Sequence, residues 1–234
     1  TGAFLVVNTE KEIYRSQSGL LSTLGWTDEN ALPTYCLEGS LFNAGTVVQW
    51  LRDGLQIIDQ ADDINSLAEK VETSEGVMLV PAFTGWGTPH WDPNARGILL
   101  GLTRDTQKEH IAKAALEGIA LSVATLIELA ENTLKSPLGE LAVDGGAAAS
   151  DPLLQAQANL TGLTIRRPKS LESTARGVAL LAGIQSNAIS NLDNLIERRE
   201  QEATLFKPRL NSQSRKKYKS KWNEAVKRSL SWYE

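Results

Sequence analysis

Apolar positions change their spacing several times along the 234-residue chain, and each change marks a new element. "AFLVVN" from Ala3, "EIYRS" from Glu12 and "GLLSTLGW" from Gly19 are short runs rich in β-formers. Together they predict a meander of antiparallel strands. "TYCLEGSLFNAGTVVQWLRDGL" starts extended and turns helical, because Val47, Trp50, Leu51 and Leu55 recur at helical spacing. "NSLAEKVE" predicts a short amphipathic helix, and "GVMLVPAF", bounded by Gly76 and Pro81, a buried strand.

The second half alternates. A long helix is expected from Lys108 to Leu134, with Ile111, Ala115, Ile119 and Leu126 on one face. "GELAVDGG" and "LTIRRP" read as strands, and "STARGVALLAGI" as a helix. In "SDPLLQAQANLTG", Ser150 is a candidate N-cap, Pro152 falls in the first turn and Gly162 lies past the end. Strands in a run, then helices alternating with strands, suit an α/β domain: a mixed sheet with helices on both faces. "TGWGTPHWDPNARG" reads as an ordered loop, since its two tryptophans need burial. The end of the chain, "RKKYKSKWNEAVKRSLSWYE", is basic, then amphipathic, with Trp222, Val226 and Leu230 able to face inward. Its basic run is a solvated helix face. Residues 207–234 are therefore expected as a helical segment appended to one domain covering 1–234, without internal repeats.

Composition narrows the partners. A net charge of −4 argues against a broad nucleic-acid footprint. One cysteine, Cys36, cannot form an internal disulfide, which suits a cytoplasmic protein, and two histidines make a zinc site untenable. No apolar run in the sequence approaches the roughly 20 residues that would imply membrane insertion. The chain opens on "TGAFLVVNTE", without Met and already reading as a strand. It is expected to be part of a longer protein, a processed full-length chain being the alternative.

"AVDGGAAASD" raises the chemical question. Gly145 and Gly146 follow a strand and precede a helix N-terminus, a setting suited to a phosphate or sugar edge. A plain tight turn is the other reading, and neither a P-loop nor a dinucleotide fingerprint is present. Asp144 is expected to fix this turn rather than face a metal. His90 and Asp92 invite a general-base reading, yet the flanking Trp and Pro favour a structural loop in which Asp92 and Arg96 form a buried ion pair. His110 is expected on a helix surface, Trp50 and Cys36 in the core, and Glu117 in contact with a neighbouring loop.

Several segments, in order, resemble the FGGY carbohydrate kinases. "GILLGLTRDTQKEHIAKAALE", ending at Glu117, is similar to the C-terminal signature of that family, "PAFTGWGTPHWDPNARG" to the preceding loop, and "VDGGAAASDPLLQ" to its adenosine turn. "TGAF" and "CLEGSLFNAGTVVQWLRD" are most similar to members that act on glycerol. The resemblance implies an actin-like ATPase (ribonuclease-H-like) fold, of which this chain is the second domain, facing an N-terminal domain across a cleft. It implies ATP and Mg²⁺ as cofactors, glycerol or a similar small polyol as substrate, and a homo-oligomer. Thr1 then stands near the nucleotide phosphates, Gly45 and Gln49 line the nucleotide, and Gly146 is the adenosine-turn glycine. Phe4 packs on the carbon skeleton of the polyol. Ser150 stands where the glycerol-directed members often carry Asn, so a shorter hydroxyl keeps one hydrogen bond there and loses another. The implied general base is an Asp in a Gly-Asp-Gln segment upstream of Thr1, leaving no catalytic residue in this chain, and the metal ligands lie mainly outside it. A kinase acting on a pentulose and a non-enzymatic actin-like nucleotide-binding module are the competing readings.

Overall fold

The computed structural model describes residues 2–28, 30–189 and 202–233. β1 (Ala3–Glu10), β2 (Leu21–Thr27) and β3 (Pro33–Leu41) form an antiparallel sheet in the order β1-β3-β2. The register sets Val6 and Leu21 on either side of Glu38, and Phe4 beside Ser40. Alternation along β1 buries Leu5 and Thr9 and turns Phe4 and Val6 outward. "EIYRS" is not a strand. The chain reverses at Glu10, the Glu12 amide bonds back to the Thr9 carbonyl at 3.0 Å, and Ile13 is left exposed.

After β3 the chain enters α1 (Gly45–Gln49), which runs straight into a π-helical turn at Trp50–Gly54, closed by Leu55 N–H donating to the Trp50 carbonyl at 3.0 Å. α2 (Asp63–Ala68) follows, then the antiparallel pair β4 (Met78–Val80) and β5 (Ile98–Leu100). α3 (Lys108–Leu134) has the bounds expected from its pattern. Its burial differs: from Gly118 to Ala124 every residue is buried, so the helix is enclosed on all sides rather than along one face. By length and composition α3 could cross a membrane, but 67% of its most apolar window lies inside the protein, as in a core helix.

Two cores meet on α3. On one side Leu121, Leu126 and Ile127 pack with Leu5, Leu37, Leu41 and Trp222; on the other Leu116 and Ile119 pack with Val47, Leu51, Ile64 and Leu153. Gly118 allows the closest approach, since a Cβ there would sit 2.2 Å from the Leu79 carbonyl oxygen. β6 (Glu140–Ala142), β7 (Thr164–Arg167) and β8 (Thr204–Phe206) form a mixed sheet, β6 parallel and β8 antiparallel to β7. Between β6 and β7 lie a 3₁₀ turn at Gly146–Ala149 and α4 (Asp151–Thr161), and α5 (Ser173–Gln185) follows β7. The strands thus fall into three sheets among the described residues.

The closing helix, α6 (Ser212–Ser229), buries Trp222, Ala225, Val226 and Ser229 at helical spacing, and Leu230 packs at the edge of the same core. Trp86 meets Trp222 edge-on at 6.2 Å and donates its indole N–H to the Ser229 hydroxyl at 3.0 Å. Burial is not shared by the second tryptophan of that loop. Trp91 is exposed, held by an indole N–H bond to the Gly19 carbonyl at 2.8 Å and by an edge contact with Phe42.

Candidate functional site

β6 ends at Ala142, and the chain must reverse within a few residues to start α4. Gly145 makes this possible: at φ 82° and ψ 171° it occupies a region essentially restricted to glycine. The Gly145 amide donates to the Leu171 carbonyl and its own carbonyl accepts from Ala148 N–H, both at 3.0 Å. Gly146 has no such backbone demand. A Cβ built there meets nothing within 4 Å, so the turn presents bare backbone to open space. Ser150 then caps α4 as its sequence predicted, accepting the Leu153 N–H at 3.2 Å, with Pro152 in the first turn and Gly162 at the end.

The turn forms one wall of a groove of about 470 Å³. The start of β1, including Gly2, Phe4 and Val6, also lines it, as does α3 at Ile119, Val123 and Leu126. Gly45, the first residue of α1, and Gln157 of α4 belong to the same lining. Phe4 is 68% exposed despite its size, an apolar wall left open to the groove. Asp144 is the charged side chain among the described lining residues.

The structure therefore brings Phe4, Gly45 and Gly146 to one cavity. Gln49 sits exposed at the last position of α1, and Ser150 lies four residues beyond Gly146 at the head of α4. Thr1 lies outside the described residues. Two side chains not singled out from sequence adjoin these. Gln157 is 7% exposed, and its side-chain carbonyl has no hydrogen-bond partner. Asn65, in α2, accepts the Ser150 hydroxyl proton at 2.5 Å across 85 residues of chain.

The other titratable candidates are structural. Asp92 and Arg96 do not pair. One Asp92 oxygen accepts the amides of Asn94 and Ala95 and the other that of Ser231 at 2.7 Å, while Arg96 donates to the Pro93 and Ala95 carbonyls and stacks on Tyr233. Local amides reach the carboxylate first, so the guanidinium turns to carbonyls and an aromatic face. Those amides, Ser231 foremost, hold the Asp92 carboxyl below its usual range. His90 packs edge-on against Trp86 at 5.9 Å, and burial lowers its pKa despite the opposing pull of Asp92. His110 completes a capping box at the start of α3, its Nδ1 accepting the Gln107 amide at 3.0 Å. Glu117 accepts from the Ser74 hydroxyl at 2.8 Å, in the loop before β4, and burial pushes its carboxyl up. Trp50 is half-buried against Phe83, and Cys36 is buried, which raises its thiol pKa.

Residues 1–186 match the profile of the FGGY family of carbohydrate kinases, C-terminal domain. The chain is 45% identical over 231 residues to a glycerol kinase of Acinetobacter baylyi, covering 99% of this chain and 46% of that relative. A glycerol kinase of Aromatoleum aromaticum is 47% identical over 232 residues, covering 99% and 46%. Among solved structures, Plasmodium falciparum glycerol kinase with ADP aligns with TM-score 0.89 and 33% identity over 98% of this chain and 46% of that one. The gluconate kinase of Lactobacillus acidophilus aligns with TM-score 0.70 and 26% identity, over 97% and 44%. These alignments agree with the actin-like α/β fold expected from the sequence. The chain spans about half the length of the curated relatives it matches.

Proposed function

The chain belongs to the FGGY family of carbohydrate kinases, and from that premise we propose that it is the nucleotide-binding half of an ATP-dependent glycerol kinase. Residues 1–234 form its C-terminal domain, with 207–234 as an appended helical segment, and an N-terminal domain faces it across the cleft. The observation that carries this reading is the meeting of Phe4, Gly45 and Gly146 on one groove. An exposed apolar ring there shares the cavity with a glycine turn whose backbone is open to approach. The similar Plasmodium falciparum glycerol kinase was solved with ADP, which supports a nucleotide as a ligand of the enzyme.

ATP supplies the γ-phosphoryl group, and a terminal hydroxyl of glycerol takes it to give glycerol 3-phosphate. Gly146 lets the backbone approach the nucleotide, since a Cβ there would meet nothing within 4 Å. Gly45 and Gln49 flank the nucleotide from α1, and Thr1 lies toward its phosphates. Phe4 offers the carbon skeleton of glycerol a surface that forms no hydrogen bonds, so the hydroxyls turn toward polar groups on the facing domain. Among the described residues no group of three or more His, Cys, Asp or Glu side chains is placed to hold a metal. Mg²⁺ would be held by phosphate oxygens and the facing domain, with Asp144 the one carboxylate among the described residues that line the groove. The hydroxyl proton goes to an Asp on the facing domain, since transfer of this kind depends on positioning and a proton-accepting carboxylate. A cytoplasmic homo-oligomer accords with this role.

Titration calorimetry of this chain with Mg·ADP tests the nucleotide half. Saturable binding is expected, and its absence refutes the reading. In the full-length enzyme, ATP turnover should depend on glycerol; turnover stimulated by a pentulose instead would reassign the substrate.

A further inference from the structure

β3 outruns one of its neighbours. β2 begins at Leu21, paired with Glu38, while β3 continues against β1 as far as Leu41. The edge of β3 beyond Glu38 that faces away from β1 therefore has no strand beside it. Ser40 lies on that stretch and is buried, so its backbone groups need other partners. Thr88 supplies both. Its hydroxyl oxygen accepts the Ser40 N–H at 3.0 Å, and its own N–H donates to the Ser40 carbonyl at 2.9 Å. The Thr88 hydroxyl donates in turn to the Gly19 carbonyl at 3.4 Å, just before β2, and the residue is only 1% exposed. Gly87 permits this approach, because a Cβ there would sit 2.3 Å from the Ser40 carbonyl oxygen.

Ser40 is also the partner of Phe4 in the register of β1 and β3. Both of its backbone groups turn to Thr88, so Ser40 and Phe4 form a non-hydrogen-bonded pair, the kind in which Cα atoms stand closest, about 4.5 Å apart. A shift of β3 at Ser40 is thus passed to Phe4 by direct contact. Little else restrains that end of the ladder, since Ala3 with Leu41 is its last pair. Phe4 itself lines the groove and is largely exposed, so no packing on its outer side holds the ring. The glycine turn follows β6, which belongs to a different sheet.

We propose that Thr88 is a positioning residue for the polyol: by taking the place of a strand beside Ser40 it fixes the end of the β1–β3 ladder, and with it the Phe4 ring in the groove. The inference rests on the glycerol reading of Phe4 above and adds to it the residue that holds the ring in place.

The test is steady-state kinetics of the full-length enzyme with glycerol and ATP. Thr88→Val keeps the side-chain shape and strips the acceptor from the Ser40 amide. It is expected to raise KM for glycerol about three- to tenfold, within what one lost hydrogen bond can cause, with KM for ATP inside about twofold of wild type. Thr88→Ser keeps the hydroxyl, so both constants should stay within about twofold of wild type. In a Phe4→Ala background, Thr88→Val should add less than about twofold to the glycerol KM, because the ring through which it acts is gone. Thr88→Ala makes the same comparisons if the valine variant fails to fold. A residue that only stabilises the loop would lower the yield of folded enzyme or raise both constants alike. Equal rises in both constants, an unchanged glycerol KM in the folded variant, or a full further rise on the Phe4→Ala background therefore overturns the inference while sparing the function proposed above. A Phe4→Ala enzyme with wild-type KM for glycerol removes Phe4 from the polyol site and the inference with it. Absence of glycerol-dependent turnover in the wild-type enzyme refutes both the inference and the proposed function.

Discussion

Two adjacent glycines in one turn offer a controlled experiment, because the structure gives them different reasons to be glycine. At Gly145 the backbone, with φ 82° and ψ 171°, excludes a side chain, although a Cβ would meet nothing within 4 Å. Gly145→Val should therefore destabilise the fold by about 1–3 kcal/mol. For a chain of this length that lowers Tm by roughly 2–12 °C. At Gly146 the backbone tolerates a side chain and the space is also open. Gly146→Val should leave Tm within about 2 °C, since no contact is lost and no strained dihedral is imposed. Its cost should fall on the ligand. A valine between turn and nucleotide forces displacement of the kind that costs about 1–3 kcal/mol on overpacking, which is roughly a five- to hundredfold rise in Kd for Mg·ADP. Differential scanning fluorimetry and titration calorimetry on both variants separate the effects. A Gly146→Val chain with wild-type Tm and wild-type Kd would refute the placement of nucleotide at this turn.

In the full-length enzyme, Phe4→Ala should raise KM for glycerol more than KM for ATP, with Tm little changed because the ring is already 68% exposed; equal rises in both constants would indicate general damage instead. Glu117 gives a pH dependence of defined sign. Burial raises its folded-state pKa above the ordinary 4.5, so its contribution is fully present below that value and is lost as pH rises through the folded pKa. Glu117→Gln keeps an acceptor for Ser74, so its Tm should exceed the wild-type value at neutral pH and converge with it at pH 4; a pH-independent difference would contradict the assignment. Trp222→Ala removes a side chain only 1% exposed, together with its indole N–H bond to Thr125 at 3.1 Å. It should cost about 3–5 kcal/mol by urea denaturation, and a loss under 1 kcal/mol would mean that α6 is not integral to the core.

What the sequence revealed and what it concealed divide along physical lines. The ends of α3 and the cap of α4 were legible because they depend on residues within a turn of each other: the apolar repeat from Lys108 to Leu134, and Ser150 reaching the Leu153 amide. The inward face of α6 at Trp222 and Val226 was legible for the same reason. "EIYRS" has strand composition but no strand, because pairing depends on a neighbouring edge that local propensity does not report. β8, "TLF", sits among polar and charged neighbours without the longer apolar run that marked the equally short β4 and β6. The enclosure of α3 on every side follows from the elements packed around it, and its small residues on the outer face gave little sign of it. The groove was legible in part, since Gly145 and Gly146 announce a turn. The Asn65–Ser150 bond outside that lining was not, because its ends lie 85 residues apart and nothing in "DDINS" points to it. Asp92 misled for a related reason: an oppositely charged neighbour in sequence is a weaker claim on a carboxylate than three amides already within reach.

The loop around Trp86 also has a bearing on biosynthesis. Its fixed points are the Ser229 hydroxyl and carbonyl, the Ser231 amide and the Tyr233 amide and ring, which bind Trp86, Arg96, Asp92 and Asn94. These partners are translated well over a hundred residues after the loop itself. A nascent chain can therefore pair β1 to β3 early, but this segment waits for residues 229–233 to emerge. A chain truncated before Ser229 should consequently carry a loop without its anchors, a target for quality-control proteases.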